Sequence, residues 1–259
     1  MKLLVATLAL LVTSGHGVTS QTGNQFFDSD GIKIRYTDEG EGSPVILVHG
    51  FTGSAGNWQQ AGITQTLANT HRVIAIDCRG HGLSDKLHDP VMYGSHMALD
   101  ILRLMDHLGL AKAHIVGYSM GARLTGYLVA NHPDRLLTAT LGASPPRRRW
   151  DASTRERANR MRRNMELRSR DADPVDGQDY IALATILRSW QSQVVTDQAL
   201  TDSPVPTLAI VGSEDPRLGG LQELTQIMPE LKLVILEGAT HRSAVRRPAF
   251  VNALLSFIK

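Results

Sequence analysis

The sequence predicts an α/β protein, with a mostly parallel central sheet flanked by helices and a small helical segment inserted late in the chain. Three observations point there. Short apolar runs alternate with longer stretches of helical periodicity. Most of those runs are continuous rather than alternating, as in strands covered on both faces. One stretch, residues 145–201, breaks the rhythm by lacking a strand. At 259 residues the chain can bury one large core that carries an insertion.

The runs at 32–36, 45–48, 73–77, 113–117, 137–141, 207–211 and 231–236 read as strands. Between them Met97, Ile101, Leu104, Met105 and Leu108 recur at helical spacing, and Gly109 is placed to stop that helix. Similar helical segments follow Gly121, Gly220 and Arg247. Strands alternating with helices imply right-handed crossovers and a largely parallel sheet. Functional sites in such sheets lie beyond the carboxyl ends of the strands. Within 145–201 two helical patches stand out, one around Ala158, Met161 and Met165, the other around Leu183, Leu187 and Trp190. The expected organisation is therefore a leader at 1–20, a core made of 21–144 and 202–259, and a helical cap insertion at 145–201.

The leader combines Lys2, an apolar run at 3–12, and small residues Val18 and Ser20 spaced like a cleavage site. It reads as a secretory signal peptide, which implies a secreted or periplasmic protein. The apolar run is about half the roughly 20 residues that a membrane span needs, so no stable span is expected. The single cysteine, Cys78, excludes an internal disulfide, and its place at the end of an apolar run marks it as a buried, inert thiol. A formal charge of only +2 argues against nucleic acid as a partner.

The chemistry begins at Gly117, Tyr118, Ser119, Met120 and Gly121, a G-x-S-x-G pattern that follows a strand and precedes a helix. A serine at such a junction is also well placed to cap the helix. To act as a nucleophile it needs a base to take its proton and a third group to orient that base. Both are available at later strand ends. "AIVGSEDPRL" places Glu214 and Asp215 after one strand, and "VILEGATHRS" places His241 after the next. "VHGFTGS" follows an early strand with two glycines, which lets backbone amides approach a ligand. The amides of Phe51 and Met120 are the expected donors to a developing oxyanion, and His49 is read as part of a tight turn.

With "HGFTGS", "DCRGHGLSD", "GYSMG", "GSEDP" and "GATH" in this order, the chain resembles the α/β-hydrolase superfamily across nearly all of the sequence that follows the expected leader. The resemblance implies Ser119, Asp215 and His241 as a catalytic triad. It selects Asp215 over Glu214 because Gly212 to Asp215 matches the family's G-x-x-D pattern. It implies structural roles for Asp77, Arg79 and His81, and places a substrate-selecting cap at 145–201. Ala122 stands where a glycine is often found, and Arg246 with Arg247 where an acidic residue is common.

The expected function is a serine hydrolase acting on a small or medium carboxylic ester, thioester or lactone, a small-molecule acyl substrate, with no metal or organic cofactor. The alternatives are a hydrolase of carbon-carbon bonds in a diketone-like acid and a non-catalytic ligand receptor on the same scaffold. Residues 145–170 hold ten arginines. They read first as a solvated helix face, and otherwise as a surface for an anionic substrate or for an anionic lipid or polymer.

Overall fold

The apolar runs assemble into one eight-stranded sheet in the order β1-β2-β4-β3-β5-β6-β7-β8. The structure is a computed structural model that describes residues 23–170 and 177–258, so the segment read as a signal peptide lies outside the described residues. Strands β3 (Ser43–Val48), β4 (His71–Ile76), β5 (Ala113–Tyr118), β6 (Leu136–Gly142), β7 (Thr207–Gly212) and β8 (Lys232–Leu236) run parallel. Two strands at one edge, β1 (Gln25–Asp28) and β2 (Lys33–Glu39), pair antiparallel. β1 has no counterpart among the expected strands. It is four residues long at the sheet edge, and its mixed polar and aromatic "QFFD" carries no period of its own.

The continuity of the parallel strands has a direct physical cause. In β3, Ile46 and Val48 face one hydrophobic cluster while Val45 and Leu47 face the other, so successive side chains on opposite faces are all apolar. On the first face lie α3 (His96–His107), α4 (Met120–Asn131) and α8 (Leu218–Ile227), on the second α1 (Gly56–Gln60), α2 (Ile63–Ala68) and α9 (Pro248–Phe257). Gly109, at φ 67°, ends α3 as foreseen. The Leu110 amide donates back to the Met105 carbonyl at 2.8 Å and the Gly109 amide to that of Asp106 at 3.1 Å, the paired bonds of a left-handed helix stop.

Between β6 and β7 the described residues form α5 (Ala152–Arg168), α6 (Tyr180–Arg188) and α7 (Asp197–Thr201). Each starts at a side-chain cap, Asp151, Asp179 and Thr196 accepting from the amides of Thr154, Ala182 and Ala199. On α5 only Ala158 is fully buried, and Arg160 and Arg162 pair with Glu156 and Glu166 one turn away, so most of the arginine run is a solvated helix face. Arg147, ahead of the helix, is an exception and is buried.

The order of strands also positions the site. After β3 the chain pairs outward to β4 and then returns to the other side of β3 as β5. The loops that leave β3 and β5 therefore diverge and leave a crevice at the carboxyl ends, where open parallel sheets bind ligands. Among the described residues no helix is long and apolar enough to cross a membrane.

Candidate active site

Ser119 occupies the turn from β5 into α4 with φ 55° and ψ −102°, a conformation that costs a non-glycine residue about 1–3 kcal/mol. The turn is held from both sides, by the Ser119 amide on the Gly142 carbonyl at 2.8 Å and by the Gly121 amide on the His49 carbonyl at 3.1 Å. The two motif glycines are required by close packing. A Cβ on Gly121 would lie 2.0 Å from the Val48 carbonyl oxygen, and one on Gly117 would lie 2.2 Å from that of Gly121. Although Ser119 sits at the N-cap position, its side chain caps nothing. The sharp turn directs Oγ instead to His241, whose Nε2 is 3.0 Å away.

His241 in turn places Nδ1 2.6 Å from Asp215 Oδ2. A carboxylate only accepts, so Nδ1 carries the proton, Nε2 is the acceptor and the Ser119 hydroxyl donates to it. The Asp215 side chain is fully buried, while Glu214 is exposed. Asp215 Oδ1 accepts from the Arg217 amide at 3.0 Å, which fixes the carboxylate plane. Tyr118, which the sequence did not single out, donates its hydroxyl to the His241 carbonyl and so holds the histidine loop against β5. Burial pushes the His241 pKa below its ordinary value, the Arg217 charge adds to this, and Asp215 opposes it.

The loop after β3 is organised by His49. Its Nε2 accepts from the Cys78 amide at 3.1 Å, so Nδ1 carries the proton and donates to the Gly50 carbonyl at 2.7 Å. Burial lowers the His49 pKa and keeps the ring neutral. The Gly50 carbonyl also accepts from the Gly53 amide at 3.0 Å. In a trans peptide the next N–H points the opposite way, which turns the Phe51 amide away from these partners; no backbone bond among the described residues uses it. The Met120 amide is the first of α4 and has no partner within the helix. Sequence reasoning noted His49 only as a turn residue, because its two partners come together only in the folded loop.

The "DCRGHGLSD" segment is structural in the fold. Asp77 accepts from the amides of Ala55 and Leu83, at 2.7 and 2.9 Å, and Arg79 makes a two-pronged bond to Asp100. His81 is buried against His49 and Phe51, and burial pushes its pKa down to about 3. Burial pushes the Cys78 thiol far up, which makes it inert.

Ser119 and His241 open onto a cleft of about 790 Å³ whose walls include Phe51, Trp58, Tyr118, Met161 and Arg217. Met161 comes from α5, so the inserted helices contribute to this wall. Met165 packs on the main core and Trp190 is buried within it. Among the described residues no group of three or more His, Cys, Asp or Glu is placed to hold a metal ion.

A model of the alpha/beta hydrolase fold family matches residues 43–173. The chain is 27% identical to the putative 2-succinyl-6-hydroxy-2,4-cyclohexadiene-1-carboxylate synthase of Bacillus subtilis (strain 168), covering 88% of this chain and 95% of that one. It is 39% identical to the esterase YbfF of Escherichia coli (strain K12), over 36% of this chain and 35% of that one. Matches at 38% to 41% identity span only 27% to 35% of the relatives' own length. A hydrolase from Pseudomonas aeruginosa PA01 shares the fold with a TM-score of 0.76 and 24% identity, over 91% of this chain and 98% of that one.

Proposed function

The chain belongs to the alpha/beta hydrolase fold family, and we propose that within it the protein is a serine hydrolase of small or medium carboxylic esters, thioesters or lactones. The observation that carries this reading is the continuous hydrogen-bonded chain from Ser119 Oγ through His241 to Asp215. Ser119 attacks the acyl carbonyl as its proton passes to His241 Nε2, and Asp215 stabilises the imidazolium that forms. The Phe51 and Met120 amides take the oxyanion. His241 then protonates the leaving alcohol, and water, deprotonated by His241, releases the acid from Ser119. The match to an esterase over part of the chain supports the ester as substrate.

The test is a chain-length series of p-nitrophenyl esters together with fluorophosphonate labelling located by mass spectrometry. Turnover and a label on Ser119 are expected; absence of both overturns the reading.

The pH profile follows from the charge around His241. The base must be neutral to act, and burial together with Arg217 disfavours its protonated form, so the acid limb of kcat/KM is expected below the ordinary histidine value of 6.5. Arg217→Met removes a neighbouring positive charge, stabilises the imidazolium and moves that limb to higher pH. A limb that stays put or moves down in the variant contradicts this account.

A further inference from the structure

The geometry points to a carboxylate subsite beside the reaction centre, formed by Arg123, Arg147 and Arg217, that selects acyl groups which are themselves acids. This inference rests on the serine hydrolase reading above and narrows its substrate class to half-esters and lactones that carry a free carboxylate.

The observation is a set of guanidinium groups that, among the described residues, have a single carboxylate within ion-pair distance, that of Asp215 beside Arg217. Arg147 is only 5% exposed, and among the described residues its Nε and Nη2 have no hydrogen-bond partner. Its guanidinium carbon lies 4.4 Å from the centroid of the Trp190 ring and 5.6 Å from that of Trp150. An aromatic ring attracts the cation but supplies no carbonyl or carboxylate acceptor to its N–H groups. The Arg123 guanidinium carbon lies over the same Trp190 ring at 5.0 Å, and among the described residues its Nε donates only to the Ser144 hydroxyl. Arg217 Nε is likewise buried and unpartnered, and its Nη1 lies 3.6 Å from an Asp215 carboxylate already committed to His241.

These groups line a cavity of about 270 Å³ walled by six arginines and two carboxylates. Asp151 is engaged in capping α5, and Glu223 pairs with one of the six arginines, Arg148, at 2.9 Å. Burial, with the Arg157 charge added, pulls Arg147 down to about 10, and burial with its cationic neighbours lowers Arg123 as well. A buried cation of this kind is costly unless an anion meets it, and a carboxylate matches the planar fork of arginine in two bonds.

The cavity adjoins the chemistry. Arg217 lines both it and the Ser119 cleft. Arg123 lies one helical turn beyond Ser119, and its amide donates to the Ser119 carbonyl at 3.3 Å. The charges of Arg123 and Arg217 both reach His241. An acyl chain whose carbonyl is at Ser119 can therefore direct a terminal carboxylate toward these arginines. The reaction balances as simple hydrolysis, in which water and the half-ester yield the dicarboxylic acid and the alcohol.

The test compares mono-p-nitrophenyl adipate with p-nitrophenyl heptanoate, which is similar in length and uncharged, after correction for spontaneous hydrolysis. The half-ester is expected to have the higher kcat/KM, and Arg147→Met to lower that ratio roughly 10- to 100-fold. Arg157 is exposed, so Arg157→Gln leaves packing untouched and is expected to lower the ratio in the same direction by less, should Arg147→Met fail to fold. Free adipate titrated by calorimetry reads the site without turnover, and binding to wild type at least tenfold tighter than to Arg157→Gln combined with Arg147→Lys is expected. A half-ester no better than its neutral counterpart overturns the subsite as a selector of substrate. If neither ester is cleaved and Ser119 takes no fluorophosphonate, the hydrolase reading fails; adipate binding then decides the subsite alone, and its absence overturns it.

Discussion

Ser119→Ala is expected to lower kcat by about 10⁵- to 10⁶-fold on any ester that the wild type turns over, with the fold intact. The loss is large because in the proposed mechanism the hydroxyl is the attacking atom, and its removal would leave only positioning and the proposed oxyanion amides. The fold should survive because the turn is held by the backbone bonds to Gly142 and His49, not by Oγ. His241→Ala should cost nearly as much, and the double variant little more than either single one, since the two groups act as a unit. Steady-state kinetics with thermal unfolding as the control checks this. Activity within a hundredfold of wild type in Ser119→Ala would remove Ser119 from the mechanism.

Asp100→Ala is expected to destabilise the protein by about 3–5 kcal/mol. Arg79 and Asp100 are both buried, with side chains 2% and 1% exposed, and the bond between them has two prongs. Asp100 also accepts from the Ser29 hydroxyl at 2.6 Å, while among the described residues the Arg79 side chain otherwise reaches only the Met92 carbonyl. Truncating Asp100 therefore leaves a buried cation almost uncompensated. The same physics predicts that Arg79→Met with Asp100→Leu recovers much of the loss, because an apolar pair needs no desolvation of charge. Urea denaturation measures both variants, and a loss below about 1 kcal/mol for Asp100→Ala counts against the account.

Asp100 also shows what a sequence reading can overlook. It shares the face of α3 that carries Met97, Ile101 and Leu104, and a charged residue on an apolar face signals a buried partner. The signal names no partner, whereas Arg79 lies in a segment that carries a recognisable motif. Tyr118 gave less warning, since a tyrosine beside the motif serine at the end of an apolar strand looks like ordinary core. Its hydroxyl finds His241 only because β5 and the loop after β8 end at the same edge of the sheet.

The positions of Ser119, Asp215 and His241 at strand ends could be read along the chain because continuous apolar runs mark buried parallel strands, and such a sheet presents its loops at one edge. The glycines at 117 and 121 belong to the same local logic, since a close strand-to-helix turn tolerates no Cβ. Long-range pairing is different. β1 became a strand only by finding the edge of β2, and His49 became a brace only by meeting the Cys78 amide. Arg147, indistinguishable in sequence from the solvated arginines of α5, is singled out by two tryptophans and by the lack, among the described residues, of a carboxylate paired with it. Local periodicity and turn chemistry thus determined the scaffold and the order of the site residues. Burial and partner identity are sums over segments far apart in sequence, and the tertiary structure alone decided which charges were paired and which were left to meet a ligand.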